Sequence, residues 1–247
     1  PYGVVGIISP WNYPFGIPFH EVIMGLMAGN AVILKPASQS LLVGKMLEEI
    51  VLAGGIPPGL FRLINLPGSV AGDAFLESGI DKLFFTGSVA VGKELMAKAS
   101  EKLVPLSLEL GGNDAMIVCS DANVVRAAAG ALWAGLSNAG QSCAGVERIF
   151  VEKGIYEKFV GLLKKNMGEL RQGAGTDFET EIGPMTTAGQ LKKVRQLYED
   201  AVHKGARAFV PPQILPRNGQ GLFHPPVLLE DVNERMMVMK EEIFGPL

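Results

Sequence analysis

An alternation that runs through the first 110 residues limits what this chain can fold into. Short apolar runs rich in Val, Ile, Leu and Phe recur at Val4 to Ile8, Ala31 to Leu34, Phe61 to Ile64, Lys82 to Phe85 and Val104 to Leu110. Runs of this length read as strands buried on both faces. Between them lie stretches with helical spacing, Phe19 to Met27, Leu41 to Leu52, Val70 to Leu76 and Val89 to Ala99. In the second of these, Leu42, Met46, Glu49 and Ile50 fall at i, i+4, i+7 and i+8. Strand and helix in strict turn predict a parallel sheet with helical crossovers, a doubly wound α/β domain. After Gly111-Gly112 the pattern changes to a strand at Ala115 to Cys119, a long helix from Val124 to about Ser137, a strand at Arg148 to Val151, and helices near Ile155 to Leu170 and Ala188 to Lys204. We read residues 1–110 as one domain and residues 111–247 as a second α/β unit. Pro211-Pro212 and Pro225-Pro226 make regular structure hard to place in its later part.

Composition narrows the function classes. The 22 Lys+Arg and 25 Asp+Glu leave a formal charge of −3, and 48% of the residues are hydrophobic. That balance excludes a disordered polymer and a polybasic nucleic-acid binder. The 31 glycines and 16 prolines follow no Gly-X-Y period, so they belong in turns and at close backbone approaches. Ala127 to Leu136, the longest uninterrupted apolar run, is well short of the roughly 20 residues that span a bilayer, and no membrane partner is expected. Two cysteines with no signal segment before them argue for a reducing, cytoplasmic compartment. Residue 1 is Pro, and the chain stops at Phe244-Gly245-Pro246-Leu247; both ends read as cuts through a larger fold.

In open parallel sheets the ligand lies beyond the carboxyl ends of the strands. The sequence puts Ser9-Pro10-Trp11-Asn12, Lys35-Pro36-Ala37-Ser38, Thr86-Gly87-Ser88 and Glu109-Leu110-Gly111-Gly112 there. Any one of these is an ordinary polar loop, but four at one edge point to a site. Gly87-Ser88 opens a helix with Ser88 as its N-cap, and such a helix start offers free N–H groups to a phosphate. No G-x-G-x-x-G occurs, so a dinucleotide would bind without that fingerprint. Lys35 is either a fixed charge at the site or a solvated surface amine. Glu109 faces away from the side shared by Leu106, Leu108 and Leu110, as an inert exposed carboxylate or a poised base. Cys143 lies among the small residues of Gly140-Gln141-Ser142-Cys143-Ala144-Gly145, whereas Cys119, flanked by Met116, Ile117 and Val118, reads as a buried strand thiol. Cys143 is the candidate nucleophile. A caspase-like protease reading fails, because the only upstream histidine, His20, is distant and reads as a satisfied residue of an apolar helix, and Ser142 and Ala144 depart from the pattern. The histidines His20, His203 and His224 are scattered, and no metal is expected.

Taken together, Pro10-Trp11-Asn12-Tyr13-Pro14, Lys35-Pro36-Ala37-Ser38, Phe85-Thr86-Gly87-Ser88, Glu109-Leu110-Gly111-Gly112, Gly140-Gln141-Ser142-Cys143 and Glu241-Glu242-Ile243-Phe244-Gly245-Pro246 resemble the aldehyde dehydrogenase superfamily, in family order along the whole chain. The resemblance implies the central part of a chain about twice as long. Its parts would be a Rossmann-like NAD(P)-binding domain over 1–110, lacking its N-terminal segment, and a catalytic domain over 111–247, lacking its C-terminal segment. Cys143 would attack an aldehyde carbonyl, the Asn12 amide and the Cys143 N–H would hold the oxyanion, and Glu109 would be the general base for thioester hydrolysis. Ile8, Pro10, Trp11, Asn12, Lys35 and Ser38 would contact NAD or NADP, with the adenosine half against most of them. Gly87 and Ser88 would take the pyrophosphate, Leu110 the nicotinamide, and Glu242 with Phe244 the nicotinamide ribose. In the bare sequence Glu242 is only one of an exposed acidic pair. Many members carry Glu where this chain has Ser38, so NADP is expected to be at least tolerated. A small-molecule aldehyde would be the substrate, the parent protein a homodimer or homotetramer, and the isolated 247 residues inactive. A CoA-acylating relative and a non-catalytic cofactor-binding fragment are the alternatives; Glu109 speaks against the first.

Overall fold

All five apolar runs of the amino-terminal half pair into one parallel sheet. The computed structural model describes residues 1–176, 178–214 and 221–247, which divide into two units, Pro1–Gly111 and Gly112–Leu247. In the first unit β1 (Val4–Ile8), β2 (Ala31–Lys35), β3 (Phe61–Leu63), β4 (Lys82–Gly87) and β5 (Leu106–Leu110) lie in the order β3-β2-β1-β4-β5. Every neighbouring pair is parallel. The crossovers are α1 (Gly16–Met27), α2 (Leu41–Ala53), α3 (Gly68–Glu77) and α4 (Val89–Lys102). Two clusters of buried side chains account for the unbroken apolar character of the strands. Val5, Ile7, Val32 and Leu34 pack with Val22, Leu47 and Val51 from α1 and α2, and Ile8, Leu83 and Phe85 pack with Ala71, Phe75, Leu95 and Ala99 from α3 and α4.

Strand order reverses between β1 and β4, and such a reversal opens a crevice at the carboxyl ends of the strands. The register brings the site segments level there: Ile8 lies opposite both Lys35 and Phe85, Thr86 opposite Glu109, and Gly87 opposite Leu110. The helix at α2 forms as its spacing predicts, but on a different face. Gly44, Leu47 and Val51 are buried, while Leu42 and Met46 are 76% and 60% exposed. Gly44 explains the choice: a Cβ there would sit 2.7 Å from Cγ of Pro36, so the absent side chain lets this face lie close against the sheet.

The second unit holds β6 (Asp114–Val118), α5 (Val124–Leu136), β7 (Val146–Val151), α6 (Tyr156–Met167), α7 (Ala188–His203), β8 (Arg207–Phe209) and β9 (Leu228–Glu230). β6 and β7 pair in parallel. β8 and β9 form an antiparallel pair that the proline-rich stretch concealed, since three residues are too few to show an alternation. Asn123 and Thr187 cap α5 and α7 by accepting hydrogen bonds from the N–H groups of Arg126 and Gln190, both at 3.1 Å. One core gathers Val118, Ala128, Phe159, Leu163 and Met167, and another gathers Leu191, Val194, Leu197, Met236 and Ile243.

Cys119 corrects the sequence reading, for it is exposed. The period of two along β6 buries Val118, so Ile117 and Cys119 take the opposite, open face. His20 is likewise exposed, on the outer side of α1. Among the described residues no helix is long and apolar enough to cross a membrane.

Candidate active site

In the first unit the edge at the strand reversal is polar and partly buried. Ser88 is the N-cap of α4, its hydroxyl accepting a 3.4 Å hydrogen bond from the Val91 N–H, so the remaining first-turn N–H groups face outward beside Gly87. Lys35 is not a solvated surface amine: the residue is 4% exposed, and burial pulls its pKa below the ordinary 10.5. An anion brought to this ammonium would restore what burial takes away. Ser38 is exposed at the start of a single helical turn, Ser38–Ser40. Ser9, whose N–H donates to the Lys35 carbonyl at 3.1 Å, keeps its own hydroxyl buried without a hydrogen-bond partner among the described residues. Trp11 and Asn12 are half-buried in the loop that leads to α1, and Glu109 is exposed at the end of β5.

Glu21, on α1, is a residue the sequence reading missed. Its carboxyl is pushed up to about 7, first by burial and next by the negative charge of Glu109, with the Thr86 hydroxyl pulling the other way. Glu21 Oε2 and Thr86 Oγ1 are nonetheless both buried without a hydrogen bond of ordinary geometry among the described residues. Two carboxyls and a hydroxyl therefore meet where β4 and β5 end. Nothing in the periodicity of α1 marks Glu21, because its environment comes from strands far along the chain.

In the second unit Cys143 sits half-buried in the turn Ser142–Gly145, closed by a 3.1 Å hydrogen bond from the Gly145 N–H to the Ser142 carbonyl. The backbone before it is unusual: Asn138, Ala139 and Gly140 all take left-handed conformations, with φ of 53°, 54° and 71°. Gln141, 1% exposed, holds this run. Its side-chain amide donates to the Asn138 carbonyl at 3.0 Å, and its side-chain oxygen accepts from the Thr186 N–H at 2.8 Å. Left-handed non-glycine residues cost on the order of 1–2 kcal/mol each and persist only where the surroundings fix them, which Gln141 does here.

Glu242 is half-buried rather than fully exposed, and burial raises its pKa while Lys193 lowers it. Its loop lies against the left-handed run before Cys143, since a Cβ on Gly140 would come within 2.1 Å of the Gly245 carbonyl oxygen. Asn113, Glu147 and Gln190 grip this loop by its backbone; the sequence reading singled out none of the three. An apolar cavity of about 430 Å³ in this unit, lined by Leu132, Leu136, Phe159 and Leu163 among others, does not reach Cys143. Among the described residues no group of three or more His, Cys, Asp or Glu could hold a metal ion.

These features define an α/β protein with an anion-receptive strand edge in one unit and a thiol on a locked turn in the other. Residues 1–247 match the profile of the aldehyde dehydrogenase family over their whole length, and the chain belongs to that family. It is 40% identical over 247 residues to a 4,4'-diapolycopene aldehyde oxidase of Methylomonas sp, covering all of this chain and 45% of that protein. To a succinate semialdehyde dehydrogenase of Acinetobacter baylyi it is 39% identical over 248 residues, covering 51% of that protein. Among solved structures, an NADP-dependent enzyme of E. coli superposes with a TM-score of 0.94 at 36% identity, over the whole of this chain and 51% of the other. The chain thus spans about half the length of the relatives it matches.

Proposed function

We propose that the protein carrying this chain oxidises an aldehyde to the carboxylic acid with NAD or NADP. The observation that carries the reading is Cys143, a half-buried thiol on a turn that follows a left-handed backbone run locked by the buried Gln141. In this reading the Cys143 thiolate attacks the aldehyde carbonyl carbon. The oxyanion of the resulting thiohemiacetal takes hydrogen bonds from the Asn12 side-chain amide and the Cys143 N–H, donors worth a few kcal/mol each in the transition state. NAD(P), when bound, would supply the acceptor for the hydride that leaves the thiohemiacetal carbon on Cys143, which gives the thioester. Glu109 takes the proton of the water that hydrolyses the thioester, freeing the acid and the thiol.

The first unit fits such a cofactor on its own features. A buried ammonium at Lys35, an orphaned Ser9 hydroxyl and the N-terminus of α4 all lie at the strand reversal, where a dinucleotide's phosphates would find donors and positive charge. Residues 1–110 would then serve as the cofactor domain and residues 111–247 as the catalytic one. Ile8, Pro10, Trp11 and Ser38 would contact the adenosine half, Gly87 and Ser88 the pyrophosphate, Leu110 the nicotinamide, and Glu242 and Phe244 its ribose. Both cysteines are free thiols, which supports a reducing, cytoplasmic setting; a homodimer or homotetramer is the assembly we propose for the parent protein.

Substitution of the two thiols tests the reading. In the intact protein Cys143→Ser is expected to lower NAD(P)H formation from an aldehyde by about 10³-fold or more, while Cys119→Ser leaves it unchanged. The opposite pattern would assign the chemistry to the exposed β6 thiol and overturn the role of Cys143. Alkylation rate alone would not serve, since Cys119 is the more accessible of the two.

A further inference from the structure

The loop Glu241–Gly245 is held by side chains acting on its backbone from two sides. Glu147, on β7, accepts from the Ile243 N–H at 2.9 Å through both carboxylate oxygens and from the Phe244 N–H at 2.8 Å through Oε1. Gln190, in the first turn of α7, donates its side-chain amide to the carbonyls of Ile243 at 2.9 Å and Phe244 at 3.0 Å. Asn113 adds a 2.8 Å bond to the Glu241 carbonyl. Phe244 needs such support, because its φ of 53° places a bulky residue in the left-handed region.

Stability by itself is a weak reason for this arrangement. Glu147 is a carboxylate in a mostly buried place, and burial pushes it up to about 7 even though the two N–H bonds pull it down. The groups acting on it from the neighbouring elements include Glu242, whose charge raises it further, and Lys193 of α7, whose charge lowers it. Burying an ionisable group beside a like charge is costly, and an apolar side chain of similar volume would fill the space more cheaply. What an apolar side chain would not do is fix both amides of Ile243 and Phe244 at once. The same loop passes so close to Gly140 that no Cβ fits between them, so its position and that of the Cys143 turn are set together.

We propose that Glu147, with Gln190 opposite it, is a positioning residue that fixes the Ile243–Phe244 backbone and thereby the placement of Glu242 and Phe244 toward the nicotinamide ribose. This rests on the function proposed above, in which that loop holds the ribose. The variants are Glu147→Ala, Glu147→Gln and Gln190→Ala in the intact protein. They are read by amide hydrogen exchange at Ile243 and Phe244, by fluorescence titration with NADP, and by aldehyde KM. Glu147→Ala is expected to speed exchange at the two amides and to raise the NADP Kd about tenfold, with aldehyde KM within about twofold of its starting value. Glu147→Gln is expected to recover the NADP Kd to within about threefold, because one amide oxygen can take over the two bonds now made by Oε1. A folded Glu147→Ala protein with unchanged NADP Kd overturns the proposal, and so does Glu147→Gln as impaired as Glu147→Ala. Should Glu147→Ala fail to fold, Gln190→Ala carries the same tenfold expectation, and an unchanged Kd there overturns it. If the unsubstituted protein oxidises no aldehyde while the variants still lose NADP affinity, the proposed function fails and the clamp stands.

Discussion

Glu21 shows how far a residue's chemistry can lie from its place in the sequence. The side chain belongs to α1, but its pKa is raised first by burial and then by the charge of Glu109, against the pull of Thr86, and those two residues come from β5 and β4. A carboxyl whose folded pKa stands near 7 against an ordinary 4.5 binds its proton more tightly in the fold than in the unfolded chain. Its contribution to stability is therefore complete below about pH 4.5 and is lost as pH rises through about 7. Glu21→Gln, which keeps the shape and cannot ionise, should gain on the unsubstituted protein by on the order of 2 kcal/mol between pH 5 and pH 8, read from urea unfolding midpoints. Parallel pH profiles for the two proteins would place Glu21 in an unperturbed environment. The same distance between chain and environment explains the correction at Cys119 and the choice between the two readings of Lys35. Lys35 is buried because β2 is an inner strand of the sheet, and Cys119 is exposed because the outward face of β6 is open; neither fact is written in the neighbouring residues.

At the scale of elements the sequence is far more explicit. Apolar runs and helical spacing place the five strands and four helices of the first unit to within a few residues of their observed ends, because a strand buried on both faces and a helix on a sheet each leave a strong period. Periodicity fails where an element is short, as at β8 and β9, and where a glycine decides which of two apolar stripes goes inward, as at α2. The Cys143 turn was legible as a run of small residues, but its left-handed geometry and its Gln141 lock were not. Gly140 is where that geometry is most tightly determined. Gly140→Ala would set a methyl group 2.1 Å from the Gly245 carbonyl oxygen, in a backbone conformation that already disfavours a side chain. Because a displacement of about 1 Å at a reacting centre costs roughly 10²-fold, kcat/KM should fall by about that factor in a protein that still folds, as judged by circular dichroism. Unimpaired turnover would mean that the turn and the Glu241–Gly245 loop can separate without consequence.

For the whole molecule, the question that the proposed function poses at the strand edge is which nicotinamide cofactor it accepts. Ser38 offers a hydroxyl at an exposed turn, and the buried ammonium of Lys35 lies three residues earlier at the end of β2. In the proposed reading a serine there sets no negative charge against a 2′-phosphate, whereas a glutamate would set carboxylate against phosphate. NADP should be used at least as well as NAD, and Ser38→Glu should depress kcat/KM for NADP selectively. A hundredfold preference for NAD in the unsubstituted protein would refute this. The most direct measurement of the proposed chemistry is mass spectrometry of the intact protein carrying Glu109→Gln, quenched seconds after mixing with an aldehyde and NADP. With the general base removed, the thioester should accumulate, giving one NADPH per active site and an acyl group on the peptide that contains Cys143, while steady turnover falls by ~10²–10⁴-fold. An unmodified Cys143 peptide alongside undiminished turnover, or the acyl group on Cys119, would contradict a covalent route through Cys143 and Glu109.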